Sequence, residues 1–205
     1  MTTYTDSPFD KALASAIPTH SAAHDGTLPD LAEGQHCYLL ASDGLYVMGR
    51  GRDFHALIRV ATLKTETPFG DLVEGVHFHG DLVPRALVED AADKAIATNP
   101  DEWAGAIVRQ NGIYSLQDVG VDSSSPSHVT YDRESYDDSD VVVDMHSHGD
   151  DKAYFSPTDN DSDAEGIHLS TVFGYCSDRQ ALQLVARVTI NGHFLSLALD
   201  QWLAA

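Results

Sequence analysis

The chain is poor in cysteine, poor in positive charge and without a long apolar run. Cysteine occurs only at Cys37 and Cys176 among 205 residues. That is too few and too widely spaced for the disulfide framework of a small secreted domain, so both are expected as free thiols. Lysine and arginine number 12 against 32 aspartates and glutamates, a formal net charge of −20 with the histidines neutral. A field of that sign repels a nucleic acid backbone and an anionic membrane surface, and neither is expected as a direct partner. No apolar stretch approaches the roughly 20 residues of a spanning helix, and the first eleven residues lack the basic and apolar regions of a signal peptide. A cytoplasmic location is expected. What is present suffices for one ordinary core, since 42% of the residues are hydrophobic. Eleven histidines in so acidic a chain direct the search to metal chemistry.

Patterning predicts an α+β domain with a mixed or antiparallel sheet and at least two helices. Residues 1–35 show no sustained period and read as a loosely packed arm, followed by a β-rich region over 36–82 and the main domain over 83–205. Cys37–Ala41 and Leu45–Met48 around Ser42-Asp43-Gly44 read as a β-hairpin, Phe54–Thr62 as a strand, and Pro68–Gly80 as a connecting loop. Pro84–Thr98 carries Leu87, Val88, Ala91, Ala92, Ala95 and Ile96 at helical spacing, and Asn99-Pro100 ends it. Trp103–Arg109 and Gly112–Leu116 form a hairpin around Asn111-Gly112. Residues 119–140 read as a polar loop with one weak strand near His128–Tyr131. Val141–Met145 is a buried strand, a helix opens at Ser156-Pro157, and strands follow at Leu169–Cys176, Leu182–Ile190 and Phe194–Leu199.

The segment from Asp144 to Asp159 carries the chemistry. On a strand Asp144, His146 and His148 share one face, with neighbours about 6.6 Å apart at 3.3 Å rise, so two imidazoles can converge on one ion. Asp159, at the start of the expected helix, can return a carboxylate to the same ion. Three protein ligands and one open position is the catalytic arrangement of zinc. Ser156-Pro157-Thr158-Asp159 is equally a helix start, with serine as cap and a carboxylate three residues on. A second pair, His77-Phe78-His79, has no third ligand at a nearby helix start and reads as structural or exposed, an accessory metal pair being the alternative. Asp159, Asp161, Asp163 and Glu165 alternate like a calcium loop. Ala164 and Ser170 occupy the positions where that loop requires glycine and glutamate, so the acids read instead as a solvated face at a helix start. His20, His24, His36, His55, His168 and His193 are scattered and carry no assigned role.

His-x-His ending an apolar strand, then seven residues and Ser-x-x-Asp, all preceded by Pro100, Glu102 and Gly105, resembles the JAB/MPN metalloprotease family and its JAMM zinc motif. The resemblance covers roughly residues 84–200 and extends to the order of elements. It implies a cytidine deaminase-like mixed sheet flanked by helices, to which an amino-terminal β-hairpin region is added. It also implies zinc held by His146, His148 and Asp159, with Glu102 as general base and Ser156 donating to an oxyanion, although Glu102 taken alone reads as a solvated acid at a strand start. Gly149 and Phe155 stand where many members have proline, which implies a looser loop, and Asp150 and Asp151 add negative charge beside the metal. The implied activity is hydrolysis of an amide at the tail of a ubiquitin-like modifier or its conjugates. A β-rich region before the core is similar to members found in PRTRC-type systems. These bacterial cassettes also carry a ThiF-like activating enzyme, a ubiquitin-like protein and a ParB-related protein, so a catalytically weak scaffold in such an assembly is the alternative.

Overall fold

Alternating apolar residues in 36–62 and 104–197 produce two sheets in the computed structural model, which describes residues 7, 12, 15–125, 128–132 and 140–205, with backbone alone at 120–125 and 128–132. The amino-terminal sheet has the order β1-β2-β3-β4-β5, built from β1 (Thr19–Ser21), β2 (His36–Leu40), β3 (Gly44–Arg50), β4 (Phe54–Thr62) and β5 (Gly75–Phe78). β1 runs parallel to β2 and the remaining pairs are antiparallel. This region is therefore a five-stranded sheet rather than an added hairpin.

Two further expectations are corrected here. From Thr19 onward the loosely packed arm is tied down, since Ala22 is buried and its N–H donates to Leu40 O at 2.9 Å while its carbonyl accepts from Gly70 N at 3.0 Å. Residues 1–6, 8–11, 13 and 14 of that arm lie outside the described residues. The Pro68–Gly80 loop contains β5, whose four residues are too few to display a period but pair with β4 from Phe54 to Leu57.

The second sheet has the order β13-β12-β11-β10-β6-β7. It comprises β6 (Ala104–Gln110), β7 (Ile113–Asp118), β10 (Val141–Ser147), β11 (Ile167–Gly174), β12 (Gln183–Ile190) and β13 (His193–Leu197). β10 and β11 are parallel and their other neighbours antiparallel. The Asn-Gly turns occur as expected: Asn111 and Gly112, and again Asn191 and Gly192, take the paired positive φ that a tight hairpin needs. Within the expected polar loop β8 (Gly120–Ser125) pairs with β9 (His128–Asp132), so that segment holds two strands where one was expected. Residues 126, 127 and 133–139 of that stretch lie outside the described residues.

The helix after Pro84, α1 (Arg85–Thr98), buries Val88, Ala91, Ala92 and Ala95, spaced as one helical face. These small side chains pack with Trp103, Met145 and Phe173 in a core that also takes Val47, Phe54, Ala56 and Ile58 from the amino-terminal sheet. Trp202 and Val83 seal it at the chain's end, both fully buried, with Val83 N donating to Trp202 O at 3.0 Å. That core takes Val143, Met145, Leu169 and Phe173 from β10 and β11, leaving the opposite face of the sheet to a polar row. Ala106, Asp144, Ser170 and Arg187 stand in register across β6, β10, β11 and β12. The short helix α2 (Pro157–Ser162) lies against this row through bonds from Arg187 to Asp159 and Asn160. No helix among the described residues is long and apolar enough to cross a membrane.

Candidate metal centre

Strand β10 presents His146 on its polar face, and the chain continues extended to His148, whose N–H donates to Phe173 O at 2.9 Å. α2 supplies the third group. Its start is a complete capping box, in which Ser156 Oγ accepts from Asp159 N at 3.2 Å and Asp159 Oδ2 accepts from Ser156 N at 2.5 Å. The capping reading and the ligand reading of Asp159 are therefore one arrangement, because the box fixes the carboxylate that meets the imidazoles. His146 Nε2 lies 3.2 Å from His148 Nε2 and 3.2 Å from Asp159 Oδ1, and His148 Nε2 lies 3.5 Å from Asp159 Oδ2.

These separations test whether a metal fits. Donors sharing one tetrahedral ion at 2.0–2.1 Å stand about 3.3–3.4 Å apart; the two imidazole nitrogens lie close to that spacing, and each is as near to one oxygen of Asp159, His146 to Oδ1 and His148 to Oδ2. Two imidazole nitrogens and a carboxylate, their side chains only 13, 10 and 16% exposed, are a zinc-type donor set. Burial alone pulls the His146 imidazolium down, but Asp159, Asp144 and Glu102 outweigh it and raise it above the ordinary value. Burial pushes the Asp159 carboxyl up, yet bonds from both histidines and Ser156 hold it well below the usual carboxylate range. The Asp159 carboxylate is thus held anionic beside the two imidazoles.

Glu102 reaches the same face. Ser147 N donates to Trp103 O at 2.9 Å and Trp103 N to Ser147 Oγ at 2.8 Å, which places Glu102 opposite His148, two residues from Ala104 opposite His146. Glu102 is 7% exposed, so the solvated-acid reading is corrected: its carboxylate is buried and its charge acts on His146. Gly149 is not a source of looseness either. Its φ is +53°, its carbonyl accepts from Cys176 N at 2.9 Å, and a Cβ there would stand 2.9 Å from Pro100 O. Neither proline nor any other side chain suits that turn. Asp150 takes a bond from Asn99 Nδ2 at 3.1 Å, joining the histidine turn to the turn before Glu102. Cys37 and Cys176 are free and buried, and burial pushes both thiols up to about 11.

Sequence reasoning missed the support of α2. Arg187, 5% exposed in its side chain, donates from Nη2 to Asp163 Oδ2 at 2.7 Å, from Nη1 to Asn160 Oδ1 at 2.5 Å and from Nη2 to Asp159 O at 3.1 Å. Its guanidinium lies between the Phe155 and Phe194 rings at 3.8 and 4.1 Å. Asp163 is thus buried and paired rather than part of a solvated acidic face, and it also receives Ser170 Oγ at 2.8 Å and faces His168 Nε2 at 3.2 Å. A lone arginine in the apolar strand Gln183–Ile190 is the signal that could have found it. Tyr154 was missed as well. It sits edge-on to His148, with centroids 4.7 Å apart and 38% of its surface exposed, at the lip of the cluster.

Burial raises the Asp163 carboxyl, but bonds from His168, Arg187 and Ser170 outweigh this and hold it below its ordinary value. Its contribution to stability is therefore present above the unfolded value of about 3.9 and is lost as pH falls through the depressed native one. Melting temperatures taken from pH 7 downward are expected to fall more steeply below about pH 4 in the wild type than in Asp163→Asn.

A mixed sheet with a helix on its apolar face and a His-His-Asp cluster at the end of its parallel strand pair defines a JAB-type domain. Residues 84–187, just over half the chain, match the family of prokaryotic homologs of the JAB domain, and the chain belongs to it. Residues 7–79 match a domain of unknown function, DUF2016. Among solved structures, the solution structure of protein DSY2949 from Desulfitobacterium hafniense is similar, with a TM-score of 0.46 and 12% identity over 60% of this chain and 90% of that one. No curated protein matches the chain.

Proposed function

We propose that the chain is a zinc-dependent metallopeptidase or isopeptidase that hydrolyses an amide bond at the tail of a ubiquitin-like modifier or its conjugates. The observation that carries this reading is the convergence of His146, His148 and Asp159 at ligand spacing, with the buried Glu102 on the same face. Those three side chains would hold the zinc, which when bound lowers the pKa of a water and polarises a carbonyl. Glu102 takes a proton from the attacking water and returns it to the leaving amine. Ser156 Oγ, held beside the cluster by the bond it accepts from Asp159 N–H, turns its hydroxyl proton to the oxyanion that forms as water adds to the carbonyl. The Tyr154 ring beside His148 offers a flat apolar wall to a narrow, glycine-rich substrate tail. A ThiF-like activating enzyme that charges the same modifier would be a fitting partner.

The test is mass spectrometry of a ubiquitin-like protein carrying a short carboxy-terminal extension, incubated with the purified full chain. Loss of the extension with zinc, and its retention after chelation or with His146→Ala, is the expected result. Undiminished cleavage by His146→Ala removes zinc chemistry from the reading. A zinc-loaded chain that leaves every such substrate intact yet assembles with partner proteins supports the scaffold alternative.

A further inference from the structure

A second histidine cluster lies on the amino-terminal sheet. His55 of β4 stands directly opposite His77 of β5, and His79, just past the end of β5, donates its N–H to Asp53 O at 2.7 Å, which continues the pairing. The alternation places Phe54 and Phe78 toward the core, their rings 5.9 Å apart, and His55, His77 and His79 together on the outer face. The His55 ring stacks on His77 with centroids 5.0 Å apart and is also 5.0 Å from the His79 ring. His55 Nδ1 is 3.4 Å from His79 Nε2.

From this juxtaposition we infer that His55, His77 and His79 form a binding site for a divalent transition metal such as zinc, clipping the edge strand β5 to β4. The 3.4 Å separation of the two nitrogens is the spacing of about 3.3–3.4 Å that two imidazoles sharing a tetrahedral ion adopt. His77 is exposed and its ring now lies in the stack on His55, so its share in the site calls for a different rotamer that turns the ring toward the same point. Three imidazoles are an established zinc donor set, and imidazole also suits copper and nickel.

The surroundings keep these rings ready as ligands. Burial, helped by the neighbouring histidines and by Arg50, pulls His55 down to about 4, and burial with Arg50 lowers His79 against the opposing pull of Asp53. Arg50, opposite His55 on β3, is the local charge that opposes a cation, and Asp53 the one that favours it. A strand of four residues at a sheet edge gains most from such a clip, since it has one neighbour and few buried side chains.

This site is independent of the one at His146, and the experiment keeps the two apart. Zinc is titrated into the full chain, with bound metal counted after gel filtration, for the wild type, for His55→Gln/His77→Gln/His79→Gln, and for His146→Ala/His148→Ala. The triple variant is expected to hold one zinc fewer than the wild type. The His146/His148 variant is expected to keep one zinc, whose affinity His55→Gln lowers at least tenfold. Amide exchange over residues 75–78 slows on adding zinc to the wild type and does not in the triple variant. Equal zinc content in the wild type and the triple variant overturns the site, as does zinc binding untouched by loss of His55. The three rings are then a hydrogen-bonded pair with a stack. Because the count is a difference, it stands whether or not the His146 cluster takes metal.

Discussion

Glu102→Gln is expected to leave the zinc content of the protein unchanged and to reduce cleavage of an extended ubiquitin-like substrate by 10²- to 10⁴-fold, the range for losing a positioned proton-transfer group. Glutamine has the shape of glutamate and keeps a carbonyl acceptor in the buried space beside His148, so the fold has little reason to change. It cannot accept a proton at neutral pH. The loss corresponds to about 3 to 5 kcal/mol of barrier at 1.36 kcal/mol per tenfold, and it should appear in kcat rather than KM, because a proton in flight belongs to the transition state. Glu102 is not among the three convergent ligand groups, which is why metal and activity should separate. If zinc departs together with cleavage, Glu102 is a ligand; if cleavage persists, it has no part in proton transfer.

The second large effect is expected at Arg187. Arg187→Met keeps much of the volume between Phe155 and Phe194 but removes every bond that Arg187 gives to Asp163, Asn160 and the Asp159 carbonyl. Asp163 then remains in the interior without its cation. Breaking a buried pair on one side typically costs about 3–5 kcal/mol, which for a chain of this size lowers the melting temperature by on the order of 10 °C. Adding Asp163→Asn to Arg187→Met should restore part of the loss, since no uncompensated charge is left. Arg187 touches no ligand side chain of the cluster. It is a positioning residue, acting through the backbone of α2. Zinc affinity of the folded variant is accordingly expected to fall by roughly 10- to 100-fold, the usual effect of removing an outer partner of a metal ligand, while Phe194→Leu, which spares the hydrogen bonds, should leave affinity nearly intact.

The elements that could be read from the sequence are those whose own residues declare them. Pro84 with the spaced alanines gave α1, and the two Asn-Gly turns fixed both hairpins because few other residues tolerate positive φ twice in succession. The histidines and Asp159 were legible for a similar reason, since an alternating strand and a capping box each dictate where a side chain must point. β5 and β8 were not legible. A four-residue strand has no period, and Gly-Val-Asp-Ser-Ser-Ser lacks the apolar alternation of a half-buried strand. Asp163 looked like one more exposed acid among several, because its burial depends on Arg187, 24 positions away. Long-range pairing of that sort leaves almost no mark in local composition.

The amino-terminal sheet and most of the second sheet fall in separate family matches, yet Gly49 admits Ile190 so closely that a Cβ would stand 2.9 Å from it, and Tyr38 reaches His193 while His36 takes Asn191. The point that divides the two family matches is thus not a boundary in packing. Severed near residue 80, the carboxy-terminal part would carry Ile167 and Ile190 into water, and the two stretches are expected to melt as a single cooperative unit.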